Sequence, residues 1–242
     1  MLEVEICCNS VASAVEAKAG GAARIELCRD LECGGLTPSD ADIEYCSRSL
    51  GLRTHVLVRP RAGSFCYSDA EVTEVMDTIR RCRRLNAAAV VVGFLTPDGH
   101  IDVALTRRAV EEADGMEVTF HRAFDEARQD PIEALHAIAE AGCSRLLTSG
   151  QQRTAIEGTA VIRRLVGTSP VTILAGSGVT PDNVCRLVAE TGVSEVHASC
   201  KKTLDDGTTL TDAATVRKLL KFVNSLICYS KSLPLGGDME EA

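Results

Sequence analysis

No stretch of this sequence approaches the roughly 20 consecutive apolar residues that a membrane-spanning helix needs. The basic and apolar regions of a secretory signal are also missing: the opening, Met1-Leu-Glu-Val-Glu5, is acidic and runs straight into a strand pattern. Nor is there an excess of positive charge, since 34 Asp and Glu against 26 Lys and Arg leave a formal net charge of −8. That argues against a general nucleic-acid binder, whose affinity comes from neutralising phosphates. The one dense basic run, Arg80-Arg-Cys-Arg-Arg84, lies in an amphipathic helical pattern and reads as a solvated helix face. Cysteine is plentiful at 11 residues, yet no Cys-x-x-Cys pair occurs, so a structural zinc site has no support. The odd count, the position of most cysteines inside strand or helix patterns and the missing signal point to reduced thiols in a cytoplasmic protein.

What is present is a regular alternation. Strand-like runs fall at Glu3–Cys8, Arg24–Cys28, Thr54–Arg59, Ala88–Gly93, Glu117–Arg122, Arg145–Thr148, Val171–Ala175 and Glu195–Ser199. Helical patterns follow each one, at Val11–Ala19, Ser39–Leu50, Asp69–Leu85, Val103–Ala113, Pro131–Ala141, Thr154–Val166, Pro181–Thr191 and Asp212–Ile227. Ser68 with Glu71 reads as a capping box, and Asp130-Pro131 and Thr180-Pro181 place a cap before a proline at the first helical position. Parallel strands need crossover helices, and a strict strand–helix alternation of this length allows closure into an α/β (β/α)8 TIM barrel. An open doubly wound sheet is the alternative. No linker rich in Pro, Gly or Ser divides the chain, so residues 1–228 read as a single barrel domain and residues 229–242 as a flexible C-terminal tail.

Side chains of a strand alternate faces, and the outer face of a barrel strand packs on helices and should be apolar. In the first strand Val4, Ile6 and Cys8 take the apolar parity; Ile25 and Leu27, Val56 and Val58, Val118 and Phe120, and Val196 and Ala198 do so in later strands. The opposite parity then places Cys7, Glu26, Cys28, Arg59, His121, His197 and Ser199 inside, near the C-terminal mouth where such barrels keep their sites. Arg61, Arg122 and Asp125 follow in the loops. A satisfied ion-pair network that merely holds the barrel together is the competing reading, because buried charges must be paired whatever their role.

Three features point to chemistry. Arginines at 59, 61 and 122 suit a carboxylate or phosphate ligand, unless one of them pairs with Glu26. The turn Ala175-Gly-Ser-Gly-Val-Thr-Pro-Asp182 carries Gly176 and Gly178 ahead of a helix, where free N–H groups could hold an anion; Ser149 and Gly150 of Leu147-Thr-Ser-Gly150 add donors. Both glycine segments are equally consistent with ordinary tight turns. Cys7 and Cys28 end adjacent strands with the same parity, a spacing that suits Cu(I) between two thiolates or two small apolar fillers.

Together the motifs Ile6-Cys-Cys-Asn-Ser10, Gly21-Ala-Ala-Arg-Ile-Glu-Leu-Cys28, Gly34-Gly-Leu-Thr-Pro38, Val58-Arg-Pro-Arg61, Phe65-Cys-Tyr-Ser-Asp69, Asp98-Gly-His-Ile-Asp102, Thr119-Phe-His-Arg-Ala-Phe-Asp125, Leu147-Thr-Ser-Gly150 and Glu195-Val-His-Ala-Ser199 resemble the CutC family. The resemblance spans almost the whole chain. It implies a (β/α)8 barrel, a cytoplasmic location, assembly into homo-oligomers such as a dimer or tetramer, and a part in copper homeostasis. Ala62 and Ser64 depart from the family's usual glycine and aspartate after Arg-Pro-Arg, and its late Arg-Asn segment is missing from Leu204–Thr211.

Two functions follow as expectations. The first is cytosolic Cu(I) binding, with buffering or trafficking, through Cys7 and Cys28. The second is a lyase or isomerase acting on a small anionic or phosphorylated metabolite. In that case Arg59, Arg61 and Arg122 bind the anion with Ser149, Gly150, Gly176, Gly178 and Ser199; Glu26 or His121 moves the proton; and Asp125 orients its neighbours. A non-catalytic scaffold with a large apolar contact patch is a third.

Overall fold

The computed structural model describes residues 2–232. Eight parallel strands close into one barrel in sequence order, β1 (Glu3–Cys8), β2 (Arg24–Leu27), β3 (Arg53–Leu57), β4 (Ala89–Val92), β5 (Glu117–Phe120), β6 (Arg145–Thr148), β7 (Thr172–Ala175) and β8 (Glu195–Ala198). β8 pairs back onto β1, matching Glu5 to His197 and Ile6 to Ala198. Closure removes both sheet edges, which excludes the open doubly wound arrangement.

The inward–outward alternation read from the sequence holds. Ile6, Cys8, Ile25, Leu27, Val56, Val90, Phe120, Leu146 and Val196 are buried in one continuous core shared with the surrounding helices. Cys7, Cys28, Leu57 and Val91, of the opposite parity, form a separate small cluster inside the barrel. The helices are α1 (Val11–Ala19), α2 (Asp40–Glu44), α3 (Asp69–Arg84), α4 (Val103–Ala113), α5 (Pro131–Glu140), α6 (Thr159–Thr168), α7 (Val184–Thr191) and α8 (Ala213–Ser232). In α3, Val72, Val75, Met76, Ile79 and Cys82 recur at helical spacing and are buried, while the arginines between them face outward. Each such side chain withdrawn from water contributes about 1.5–3 kcal/mol. The Ser68–Glu71 capping box opens α3, and Asp130 caps α5 ahead of Pro131.

Several boundaries differ from the sequence reading, each for a local reason. The α2 segment breaks at Tyr45 into a π-helical turn, Tyr45–Ser49. α6 begins at Thr159 rather than Thr154, because Gly158 folds its backbone against Ser149; a Cβ on Gly158 would lie 1.9 Å from the Ser149 carbonyl oxygen. α7 begins at Val184 rather than Pro181, because Asn183 Oδ1 accepts from the Thr180 N–H and holds the intervening residues in a turn. After β8 comes a short antiparallel hairpin, β9 (Lys201–Thr203) and β10 (Thr209–Thr211), which the alternation gives no sign of. Asn9 ties it to the barrel by donating to the Thr209 carbonyl at 3.1 Å. α8 continues to Ser232, into the segment expected as tail; residues 233–242 of that segment lie outside the described residues. No helix among the described residues is long and apolar enough to cross a membrane.

Candidate functional site

The C-terminal ends of the strands surround a cavity of about 920 Å³. Its lining comes from all sides of the barrel mouth and includes Cys7, Glu26, Cys28, Arg59, Phe65, His121, Arg122, Asp125, Gly178, His197 and Ser199.

Beneath the cavity the barrel is filled by charge. Arg24, with 0% of its side chain exposed, contacts Glu5 at 2.9 Å, Glu195 at 2.5 Å and Glu3 at 3.1 Å. Arg145 contacts Glu195 at 2.8 Å and Glu117 at 3.0 Å. Glu5 passes the network upward, with His55 Nδ1 at 2.8 Å and His197 Nδ1 at 2.9 Å from its two carboxylate oxygens. The other nitrogen of His197 lies 3.4 Å from Glu26. Burial alone would raise the pKa of Glu5, but hydrogen bonds from His197 and His55 hold it well below the usual carboxylate range. Burial raises Glu26, the His197 charge opposes that, and the nearby Glu5 reinforces it. Burial would depress His197, yet Glu26 and Glu5 raise it. The result is an imidazole between a firmly ionised carboxylate below and a proton-accepting carboxylate at the cavity floor.

Cys7 sits beside Glu26 in the β1–β2 register. The neighbouring Cys28 thiol, together with burial, pushes the pKa of Cys7 well above the ordinary thiol value. One sulfur of Cys7, one oxygen of Glu26 and one nitrogen of His197 all lie within 4.8 Å of one another, a spacing that could hold a metal ion. A metal there must displace protons from Cys7 and from a histidine whose two nitrogens already face carboxylates. The sulfur pair Cys7–Cys28 must likewise lose its protons, and its soft donors suit a soft monovalent ion.

The wall opposite is built by β3 and β5. Arg59 stands beyond the end of β3 and donates to the carbonyls of Cys33, Gly35 and Gly63 at 3.0–3.1 Å. It does not pair with Glu26. Phe65 lies against both Arg59 and His121, each 4.9 Å from its ring centroid. His121 Nδ1 accepts from the Ala123 N–H at 3.1 Å. Burial, with the charges of Arg59 and Arg122, depresses its pKa to about 3. His121 is therefore neutral at physiological pH with its proton on Nε2, a hydrogen-bond donor rather than the acid–base group expected from the sequence. Asp125 accepts from Thr148 Oγ1 at 2.5 Å, from the Ser149 and Gln151 N–H groups at 3.0 Å, and from Arg122 at 2.8 Å. Its role is to gather the loop after β6 and to neutralise Arg122.

The three arginines do not converge. Arg61 turns away from the cavity to Glu71, Nε to Oε1 at 2.5 Å, with its guanidinium over the Tyr67 ring; it braces the start of α3. The adjacency to Arg59 in sequence misleads because the chain has left the strand, so alternation no longer reports direction. Ser149 and Gly150 lie behind the cavity wall, Ser149 occupied with Asp125 and Arg122. Gly176 packs under His197 and Leu147, where a Cβ would meet Leu147 Cδ1 at 2.6 Å, whereas Gly178 does line the cavity with a backbone φ of +71°. The residues the sequence reading passed over are Glu5, Arg24, His55 and Arg145. Their inward parity was available; their partnerships, three of them between strands that are not neighbours in the barrel, were not.

A (β/α)8 barrel with a polar, thiol-bearing cavity at its C-terminal mouth is the class that fold and site define. The chain belongs to the CutC family, whose model matches residues 2–202. It is 44% identical over 206 residues to a CutC family protein of Bacteroides fragilis, covering 84% of this chain and 82% of that one. A solved structure of CutC from Streptococcus agalactiae, described as a copper homeostasis protein, superposes with a TM-score of 0.78 at 30% identity, covering 82% of this chain and 99% of that one. Phosphoribosylanthranilate isomerase of Thermotoga maritima shares the fold alone, with a TM-score of 0.64 at 15% identity, over 93% of this chain and 100% of that one.

Proposed function

We propose that this chain serves copper homeostasis in the cytoplasm, binding Cu(I) between Cys7 and Cys28 and buffering or passing it on, as a homo-oligomer. The observation that carries the reading is the pair of buried thiols, packed in one small cluster, that lines an open cavity. Thiolate is the ligand Cu(I) prefers, and two sulfurs satisfy its coordination. Leu57 and Val91 beside the thiols exclude water from the bound ion and slow its oxidation. The Cys7 proton is held tightly, so binding must release it. A Cu(I) competition titration between pH 6 and 8 is expected to show affinity rising by about one log unit or more per pH unit. A flat profile would remove the thiol pair as the site.

The size of the cavity favours a second reading. A volume of about 920 Å³ greatly exceeds what an ion needs and matches a metabolite. In that reading Glu26, its pKa raised by burial and backed by His197, exchanges a proton with a small anionic substrate in a lyase or isomerase reaction. Native mass spectrometry of protein taken directly from cells separates the two. The second reading expects a retained organic molecule that Glu26→Gln keeps bound and unconverted; copper alone, in a fixed ratio to the chain, rejects it.

A further inference from the structure

Among the described residues, the buried arginines are matched to carboxylates with one exception. Arg24 and Arg145 each contact two or more glutamates. Arg59, only 6% exposed, has no carboxylate within 4.0 Å among the described residues and bonds only to backbone carbonyls. A guanidinium cannot shed its proton, so a buried one left without a counter-charge is costly. Its Nε–H makes no hydrogen bond among the described residues, and the nearby Tyr67 hydroxyl is likewise buried without one. His121, packed like Arg59 against the Phe65 ring, presents a second orphan: Nε2 is buried without a partner among the described residues, while Nδ1 and Cε1 are turned towards Gly93 and Ala123. Both residues line the same cavity. Two unpaired donors and one uncompensated positive charge on one wall suit an anionic ligand.

We propose that the cavity's ligand carries a carboxylate, held against the Arg59 guanidinium and the Nε2–H of His121. The assignment rests on the small-molecule reading of the cavity. Charge counting selects carboxylate over phosphate. Asp125 already neutralises Arg122, which leaves a single positive charge on this wall, enough for a monoanion and not for a dianion. The Phe65 ring, touching both donors, excludes water from one side and strengthens the pairing. The ligand would then span the barrel mouth, its carboxylate on the β3–β5 wall and its remaining atoms reaching towards Glu26 and Cys7.

The test is an NMR titration of full-length protein carrying ¹⁵N-labelled histidine, with the His121 ring assigned by its disappearance in His121→Leu. Propionate is compared with propionamide, its uncharged counterpart, and with inorganic phosphate. The expected result is a saturable shift of the His121 Nε2 resonance by propionate, about tenfold or more weaker for the amide and for phosphate, and lost in Arg59→Gln. Equal effects of acid and amide, tighter binding of phosphate, or no shift at His121 would overturn the proposal on the wild-type protein alone, whatever the variants do to folding. A neutral organic molecule retained from cells would remove the carboxylate and leave the small-molecule reading standing. Propionate seated at His121 in a protein that retains only copper would remove that reading and leave the subsite.

Discussion

Replacing Arg24 with methionine is expected to lower the melting temperature by about 10 °C, from a loss of about 3–5 kcal/mol at roughly 2–4 °C per kcal/mol for a chain of this size. Arg24 is fully enclosed and contacts three glutamates from β1 and β8. Methionine fills most of its volume but leaves those carboxylates with one positive partner fewer. Glu195 keeps Arg145, and Glu5 keeps His55 and His197, so the network is weakened rather than abolished. The loss should depend on pH with a definite sign. Burial and Arg24 both oppose protonation of His197, which Glu26 and Glu5 nonetheless hold above its ordinary value; without Arg24 that pKa rises further. Protons bound in this way stabilise the fold below their pKa and are lost as pH rises, so the deficit should be largest above neutrality and shrink as pH falls. Thermal unfolding of wild type and variant between pH 5 and 8 measures it. The exposed pair Arg83–Asp114 is the control: Arg83→Ala should cost no more than about 1 kcal/mol. Equal small losses at both positions would show that the barrel interior tolerates unpaired charge, and would weaken the case built on Arg59.

The second large effect is expected at the thiols. Cys7→Ser and Cys28→Ser should each weaken Cu(I) binding by about a hundredfold or more, because a two-coordinate ion has no spare ligand and a hydroxyl is too hard a donor to replace sulfur. Serine is nearly isosteric, and both positions are buried inside the barrel, so the comparison isolates the donor atom. Cys33, on the loop after β2, is half-buried and lines the same cavity, which makes it the substitute most able to blunt the Cys28 variant. The measurement is competition against a Cu(I) chelator with stoichiometry read in parallel. Unchanged affinity in both variants would move copper elsewhere on the chain. Retention in Cys7→Ser alone would point to a site that uses Cys28 with the loop.

The barrel was legible because two periodicities ran together for the whole chain. Apolar residues at alternate positions of each strand, and at helical spacing between strands, admit one layered arrangement, and eight repeats in strict order admit closure. The same alternation placed Cys7, Glu26, Cys28, Arg59, His121 and His197 on the inner face, where the structure has them. It held for Cys28, His121 and Arg59, one or two residues past their strand ends, and gave no direction further into the loops. Arg61, placed in the loop above the same mouth, was expected to bind the anion with Arg59, but its direction was settled by Glu71 of the α3 capping box. Gly176 and Gly178, two residues apart, likewise part company once the strand has ended.

By itself, then, the sequence determined which face of each strand is inward, because alternation is a local property of the extended chain, and the nine ordered motifs placed the chain in its family. Only the tertiary structure decided which inward groups meet. Glu5 and His197 are 192 positions apart and become neighbours solely because β8 closes onto β1. That contact, and the burial around it, decides which groups keep protons: burial raises the pKa of Glu26, and Glu26 and Glu5 raise that of His197, while His121, expected as an acid–base group, is held neutral by a desolvated wall and two arginines. Closure of the sheet is a global event, and the energetics of ionisation inside it depend on neighbours that no window of sequence contains.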